Sequence, residues 1–128
     1  MGYDRESNDA AYRLAEAIRS GEAVAVRKVL SAEASAVCDS AGLMPALTGP
    51  FHGAQDVARL VTLIGNVFPH AELTVEAVNG RSGLLMRQAA GDAVAVIAVE
   101  AGETGISVLW IVLNQDKLSH WHRFPEPC

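Results

Sequence analysis

Ala93-Val94-Ala95-Val96-Ile97-Ala98-Val99-Glu100 and Ile106-Ser107-Val108-Leu109-Trp110-Ile111-Val112-Leu113, joined by a turn over Gly102 to Gly105, decide the fold. Both runs are apolar and bounded by turn signals, which predicts two strands of a hairpin. Working outward, Gly83 to Ala89 and Glu72 to Val78 predict two more strands. Asn79-Gly80 and Gly91-Asp92, strong turn pairs, separate them into a four-strand meander. The run from Ala93 to Val99 is apolar on both faces, and one layer of helices covers only one of them. The other face is therefore expected to bury itself against a second copy by twofold symmetry, making a homodimer.

The region before the meander reads as helices. Ala11, Leu14, Ala15 and Ile18 recur at helical spacing, with Arg13, Glu16 and Arg19 opposite and Gly21 as a stop, which predicts a first helix over 7–20. Ala23, Val26 and Leu30 form one stripe of a shorter second helix over 22–30. Ala34 to Asp39 looks extended, and Gly42 to Gly53 carries the glycine and proline punctuation of a hairpin or loop. Val57, Leu60, Val61 and Ile64 predict a third helix over 54–66, ended by Pro69. Helices grouped before an antiparallel meander indicate an α+β domain.

Bulk composition narrows the function classes. With 128 residues the chain suits one domain with a real core. We divide it into a disordered or tag-like start over 1–6, a domain over 7–118 and a flexible tail over 119–128. No apolar run reaches the ~20 residues of a membrane span, and the amino terminus lacks a signal-peptide pattern, so a cytoplasmic protein without membrane contact is expected. The net charge is −5 and the ten Lys and Arg residues are scattered, so no basic stripe for direct nucleic-acid binding is visible. Two cysteines make a poor disulfide framework; Cys38 reads as a small core residue and Cys128 lies in the tail.

Three further stretches carry a resemblance. Asn114-Gln115-Asp116-Lys117-Leu118 resembles the N-P-D-K-L box that ends the carboxyl-terminal domain of one group of extracytoplasmic-function sigma factors. Cys38-Asp39-Ser40-Ala41-Gly42-Leu43 resembles that family's S-D-G-G-G-K. Pro50-Phe51-His52-Gly53, continuing to Val57-Ala58-Arg59, resembles its P-x-x-G-x-x-x-V-A-R. Gln115 stands where the family has proline, and Ser40, Ala41 and Leu43 stand where it has two glycines and a lysine. The sigma-factor domain belongs to the SnoaL-like branch of the nuclear transport factor 2-like superfamily. The resemblance implies a cone-shaped, cystatin-like fold, with three helices packed on a curved, mostly antiparallel sheet around an apolar pocket. It also implies a sigma-factor or RNA polymerase-related partner, contacted through Asn114, Asp116 and Lys117. The family's DNA-binding regions are missing from this sequence, which leaves an excised domain, a free-standing relative or a gene remnant.

Enzymes of this scaffold type, ketosteroid isomerases and polyketide cyclases among them, need a desolvated base on an inward strand position. The strands here supply few. Asp39 is either a pocket acid or a turn residue bonding its own backbone, and His52 is either a ligand contact or a helix-capping residue; these are the two candidate catalytic groups. Glu72, Glu76 and Arg87 fit a solvated face with a cross-strand ion pair. His120, Trp121 and His122 make a weak metal pattern, and neither a metal site nor a cofactor is expected. Phe51, His52, Met86 and Trp110 are the expected lining of a pocket for a small hydrophobic ligand. The sequence favours a non-catalytic ligand-binding or protein-interaction module, with an isomerase or cyclase on an apolar substrate as the alternative.

Overall fold

The computed structural model describes residues 5–39, 50–78, 80–89, 91–113 and 118. Two helices lead, α1 (Arg5–Ser20) and α2 (Ala23–Val29). Gly21 parts them with φ +76, a conformation open to glycine, and donates its N–H to the carbonyl of Ile18. α2 runs without a loop into β1 (Leu30–Asp39). After β2 (Pro50–His52) and α3 (Ala54–Val67) come β3 (Glu72–Val78), β4 (Arg81–Arg87), β5 (Ala93–Gly102) and β6 (Gly105–Val112). The expected elements are all present. α1 begins two residues earlier than the periodicity indicates, and the tail over 119–128 lies outside the described residues.

The six strands form one curved sheet in the order β2-β1-β6-β5-β4-β3. β3 to β6 pair antiparallel in sequence order, as a meander must. The pairing that sequence reasoning missed is β1 with β6, which run parallel from Ser35 opposite Val108 to Asp39 opposite Val112. It converts a hairpin plus a meander into a single sheet. β1 is also four residues longer at its start than Ala34 to Asp39. Between Leu30 and Ser35 it advances five residues while β6 advances two, from Ile106 to Val108. That irregularity breaks the alternation by which a strand is recognised.

One sheet face takes the helices. Ala34, Ala36 and Cys38 on β1, Ile106, Leu109 and Ile111 on β6, Ala95, Ile97 and Val99 on β5, and Leu84 and Met86 on β4 are all buried there. Leu14 of α1 and Val57, Val61 and Ile64 of α3 pack onto them. Alanines at 34, 36 and 95 keep the sheet thin where the helices lie closest, while each buried Leu or Ile stabilises by roughly 1.5–3 kcal/mol. Ser82, in the same inner row, is satisfied by donating its hydroxyl to Asn8 Oδ1 at 3.2 Å.

The other face is not bare. Val78, Leu85, Ala93 and Val96 form a second, smaller core with Leu118, which has no exposed surface. The chain thus returns after β6 to cover half of its own outer face. Gly83 serves this packing, because a Cβ there would lie 2.6 Å from the Ile97 carbonyl oxygen and 2.7 Å from Val78 Cγ2. Among the described residues, the exposed apolar side chains of the outer face lie toward β1, at Val37 and Trp110.

Candidate functional site

Asp39 and His52, the two candidate bases, do not meet. Alternation along β1 puts Ala34, Ala36 and Cys38 on the helix side, so Ser35, Val37 and Asp39 belong to the outer row. Asp39 lies opposite Val112, half-buried, and its carbonyl accepts the Leu113 N–H at 2.7 Å. His52 is exposed and lies opposite Ser35, four residues back along β1 or about 13 Å. Neither side chain belongs to the inner row of its strand. Residues 40–49 lie outside the described residues, so the two-residue turn reading of Asp39 does too.

The four expected pocket residues split between faces. Phe51, opposite Ala36, packs against the main core, and Met86, only 2% exposed, is buried in it. Trp110 pairs with Ala98 in the outer row and is 38% exposed. The period of two decides this, since Leu109 and Ile111 on either side take the inner positions. The Arg81 guanidinium sits over the Trp110 ring, 5.0 Å from its centre. Even Phe51 and Met86 are four strand spacings apart in the sheet, about 19 Å along its surface.

The ionisable groups of the meander also lie outward. The Glu76–Arg87 pair forms as expected, but its face is less solvated than expected. Arg87 Nη1 donates to Glu76 Oε2 at 2.6 Å and Nη2 to Oε1 at 3.3 Å, while the Arg87 side chain is only 6% exposed. Thr74 donates its hydroxyl to the same Glu76 Oε2 at 2.6 Å. Arg87 stands opposite Ala93 and two residues from Leu85 in the outer row, and both of these belong to the smaller core. A two-point pair of this kind is structural bracing for the β3–β4 edge.

Among the described residues, the inner rows of β3 to β6 hold no acid, base or histidine. Cys38 is the one titratable group on the inner row of β1, and burial, with the Asp39 charge second, pushes its thiol pKa up. A raised thiol is a poor nucleophile at neutral pH. Three clefts bounded by described residues lie elsewhere. One of about 150 Å³ lies between the end of α1 and α3 around Arg19, Thr62 and Asn66. One of about 380 Å³ lies beside Asp9, Arg13 and Glu103, and one of about 350 Å³ beside Phe68, His70 and Gln88. Phe51, Met86 and Trp110 line none of these three. No group of three potential metal ligands occurs among the described residues, and no helix there is long and apolar enough to cross a membrane. Asn114, Asp116, Lys117, His120, Trp121 and His122 lie outside the described residues.

The sequence matters here mainly for what it placed nearby and left unsingled. Leu118, the last residue of the N-Q-D-K-L box, is the anchor of the outer core. Its signal is a lone leucine after a strand, which carries no period.

No protein-family model matches the chain, and no curated protein matches it. Solved structures do. The extracytoplasmic-function sigma factor SigJ of Mycobacterium tuberculosis matches at 23% identity with a TM-score of 0.65, over 89% of this chain and 44% of that one. This chain therefore spans less than half of the sigma factor. An uncharacterised protein with a cystatin-like fold from Silicibacter pomeroyi matches at 16% identity and a TM-score of 0.65, over 91% and 82% of the two chains. A nuclear transport factor 2-like protein from Burkholderia xenovorans matches at 14% identity and a TM-score of 0.58, over 93% and 97%. The α+β architecture, three helices on a curved and mostly antiparallel six-stranded sheet, is shared with these cystatin-like and nuclear transport factor 2-like structures.

Proposed function

We propose that this chain, on a fold it shares with a sigma-factor domain and with nuclear transport factor 2-like proteins, is a non-catalytic interaction module of regulatory type. The observation that supports it is the contrast between the two faces. Among the described residues, the inner face is largely aliphatic and holds no group suited to general-base work, while the outer face offers Trp110 and Val37 to solvent. The contact surface we assign is the open half of the outer face. A sigma-factor or RNA polymerase-related partner, with Asn114, Asp116 and Lys117 taking part, belongs to the same proposal through the resemblance. So does a cytoplasmic setting, in keeping with a buried free thiol at Cys38.

The test is an assay of isomerase, cyclase and epoxide-hydrolase chemistry on apolar steroid and terpene substrates, paired with Asp39→Asn and His52→Ala. The expected result is no turnover above buffer in any of the three proteins. Turnover that falls at least about tenfold in either variant would replace this reading with the enzyme alternative. A small hydrophobic ligand, the other form of the module, would raise the melting temperature in a steroid, terpene and fatty-acid panel. With Trp110 on the outer face, a small ligand held on the inner face at Phe51 or at Met86 is expected to leave the emission of Trp110 unchanged.

A further inference from the structure

We infer that the cleft where α1 and α3 end is a binding site for a small alkylammonium ion, held by Thr62, Asn66 and Glu22. It lies among the helices, apart from the sheet face assigned above, and does not depend on that assignment.

An unmet hydroxyl marks the place. Thr62 Oγ1 is shut off from solvent and makes no hydrogen bond, the one buried side-chain nitrogen or oxygen in that state among the described residues. A buried polar group without a partner costs free energy, and each one in a folded protein calls for an explanation. Thr62 lines the cleft of about 150 Å³. A helical threonine has two staggered rotamers open to it, and with no bond to hold it this hydroxyl is free to turn toward a guest. The volume is well under the roughly 300–1,000 Å³ of drug-sized sites, which restricts the guest to a few heavy atoms.

The charge of the guest follows from the walls. α1 ends at Ser20 and α3 at Val67, so the negative ends of two helix dipoles border one cleft. The Ser20 hydroxyl donates to the Ala17 carbonyl at 2.6 Å and the Gly21 N–H to that of Ile18 at 3.0 Å. The carbonyls of Arg19 and Ser20 are left without a partner among the described residues. The last turn of α3 carries no basic residue to answer its dipole. Glu22 adds a carboxylate that neither caps α2 nor joins an ion pair among the described residues. Arg19, the cation on this wall, is already committed: Nη1 donates to Glu16 Oε2 and Nη2 to the Leu73 carbonyl, both at 2.9 Å. An ammonium has three N–H donors, and Glu22, Asn66 and Thr62 each offer it an oxygen. Ala17, Ile18 and Val26 supply an apolar wall for its alkyl stem. A carboxylate guest would meet Glu22 and both dipole ends with like charge.

Amide NMR of the full chain tests this, with n-propylammonium, n-propanol and propionate as probes. The ammonium should move the Gly21, Glu22 and Gly65 signals along saturable curves, and the alcohol and the acid should each bind at least about threefold more weakly. Glu22→Gln should weaken ammonium binding at least about threefold and leave the alcohol unaffected. Thr62→Val keeps the side-chain shape and removes the hydroxyl, so it should weaken binding about fivefold while holding or raising the melting temperature. Glu22 is exposed, so Glu22→Gln keeps the fold and decides the matter if Thr62→Val does not fold. A flat ammonium titration, a stronger response to propionate, equal binding of the alcohol, or wild-type affinity in either folded variant would each overturn the inference.

Discussion

The outer sheet face has two halves built from the same strands and finished in opposite ways. Around Leu85 and Val96 it is closed by Leu118 and braced by the Glu76–Arg87 pair. Around Trp110 and Val37 it stays open, with a half-exposed Arg81–Glu100 pair at its edge. Aliphatic content does not separate them, since both are rich in valine. What separates them among the described residues is Leu118, which packs on the half around Leu85 and Val96. Apolar strand composition therefore gives the number of faces that need covering and not the identity of the cover.

The sharpest way to break this contrast is to unpair the closed half. Glu76→Ala leaves the Arg87 guanidinium in a nearly dry site without its two-point partner, and should lower unfolding free energy by about 4 kcal/mol in urea titrations. Replacing Glu76 and Arg87 together by leucine should recover most of that loss, since no charge is then stranded. Next in size is Leu118→Ala, expected to cost about 3 kcal/mol and to bring on binding of an apolar dye as Val78, Leu85 and Val96 open. Were its effect under about half a kcal/mol, Leu118 would not be the cover and the two halves would be alike.

Changes in the open half should touch partner contact and leave the fold. Trp110→Ala is expected to cost the single chain less than Leu118→Ala, about 1–2 kcal/mol, as Trp110 stays 38% exposed and the Arg81 guanidinium stacks on its ring. A larger loss would mean that Trp110 belongs to the core. The smallest effect concerns Cys38, on the inner row near the end of β1. Its folded pKa is raised, so its stabilising share is complete below the unfolded thiol pKa and is lost as pH rises through the folded one. Cys38→Ala should therefore flatten the alkaline limb of the stability curve slightly. Alkylation of the wild-type Cys38 at neutral pH should proceed only as fast as the protein opens.

Much of the fold is legible because its signals are local. The Asn79-Gly80 and Gly91-Asp92 pairs mark turns where Gly80 and Gly91 indeed hold positive φ, and β3 has the predicted bounds Glu72–Val78. Helical spacing in Ala11, Leu14, Ala15 and Ile18 names the face of α1 that reaches the core. The β1–β6 pairing is not local, and no residue on either strand names its partner. The site was harder to read for a related reason. Trp110 looks like pocket lining in a run that is apolar throughout, and only the parity set by Leu109 and Ile111 assigns its side. In a run apolar at both parities, size and chemistry carry no direction. Arg87 misleads in the opposite sense, since a charged residue on an edge hairpin reads as solvated, yet its side chain is only 6% exposed.

The parallel contact between β1 and β6 also sets an order of events when the chain folds. Ser35 and its partner Val108 are about 70 residues apart, whereas each meander strand meets its neighbour within one turn. Closing so long a loop costs more entropy than forming a hairpin, so the meander can assemble while β1 waits. On a ribosome the wait is longer, for β1 emerges about 70 residues before β6. Through that interval Ala36, Val37 and Cys38 belong to a strand with one neighbour at most, the short β2. The N-terminal half is thus the part of the chain most exposed to wrong pairing before the last strand arrives.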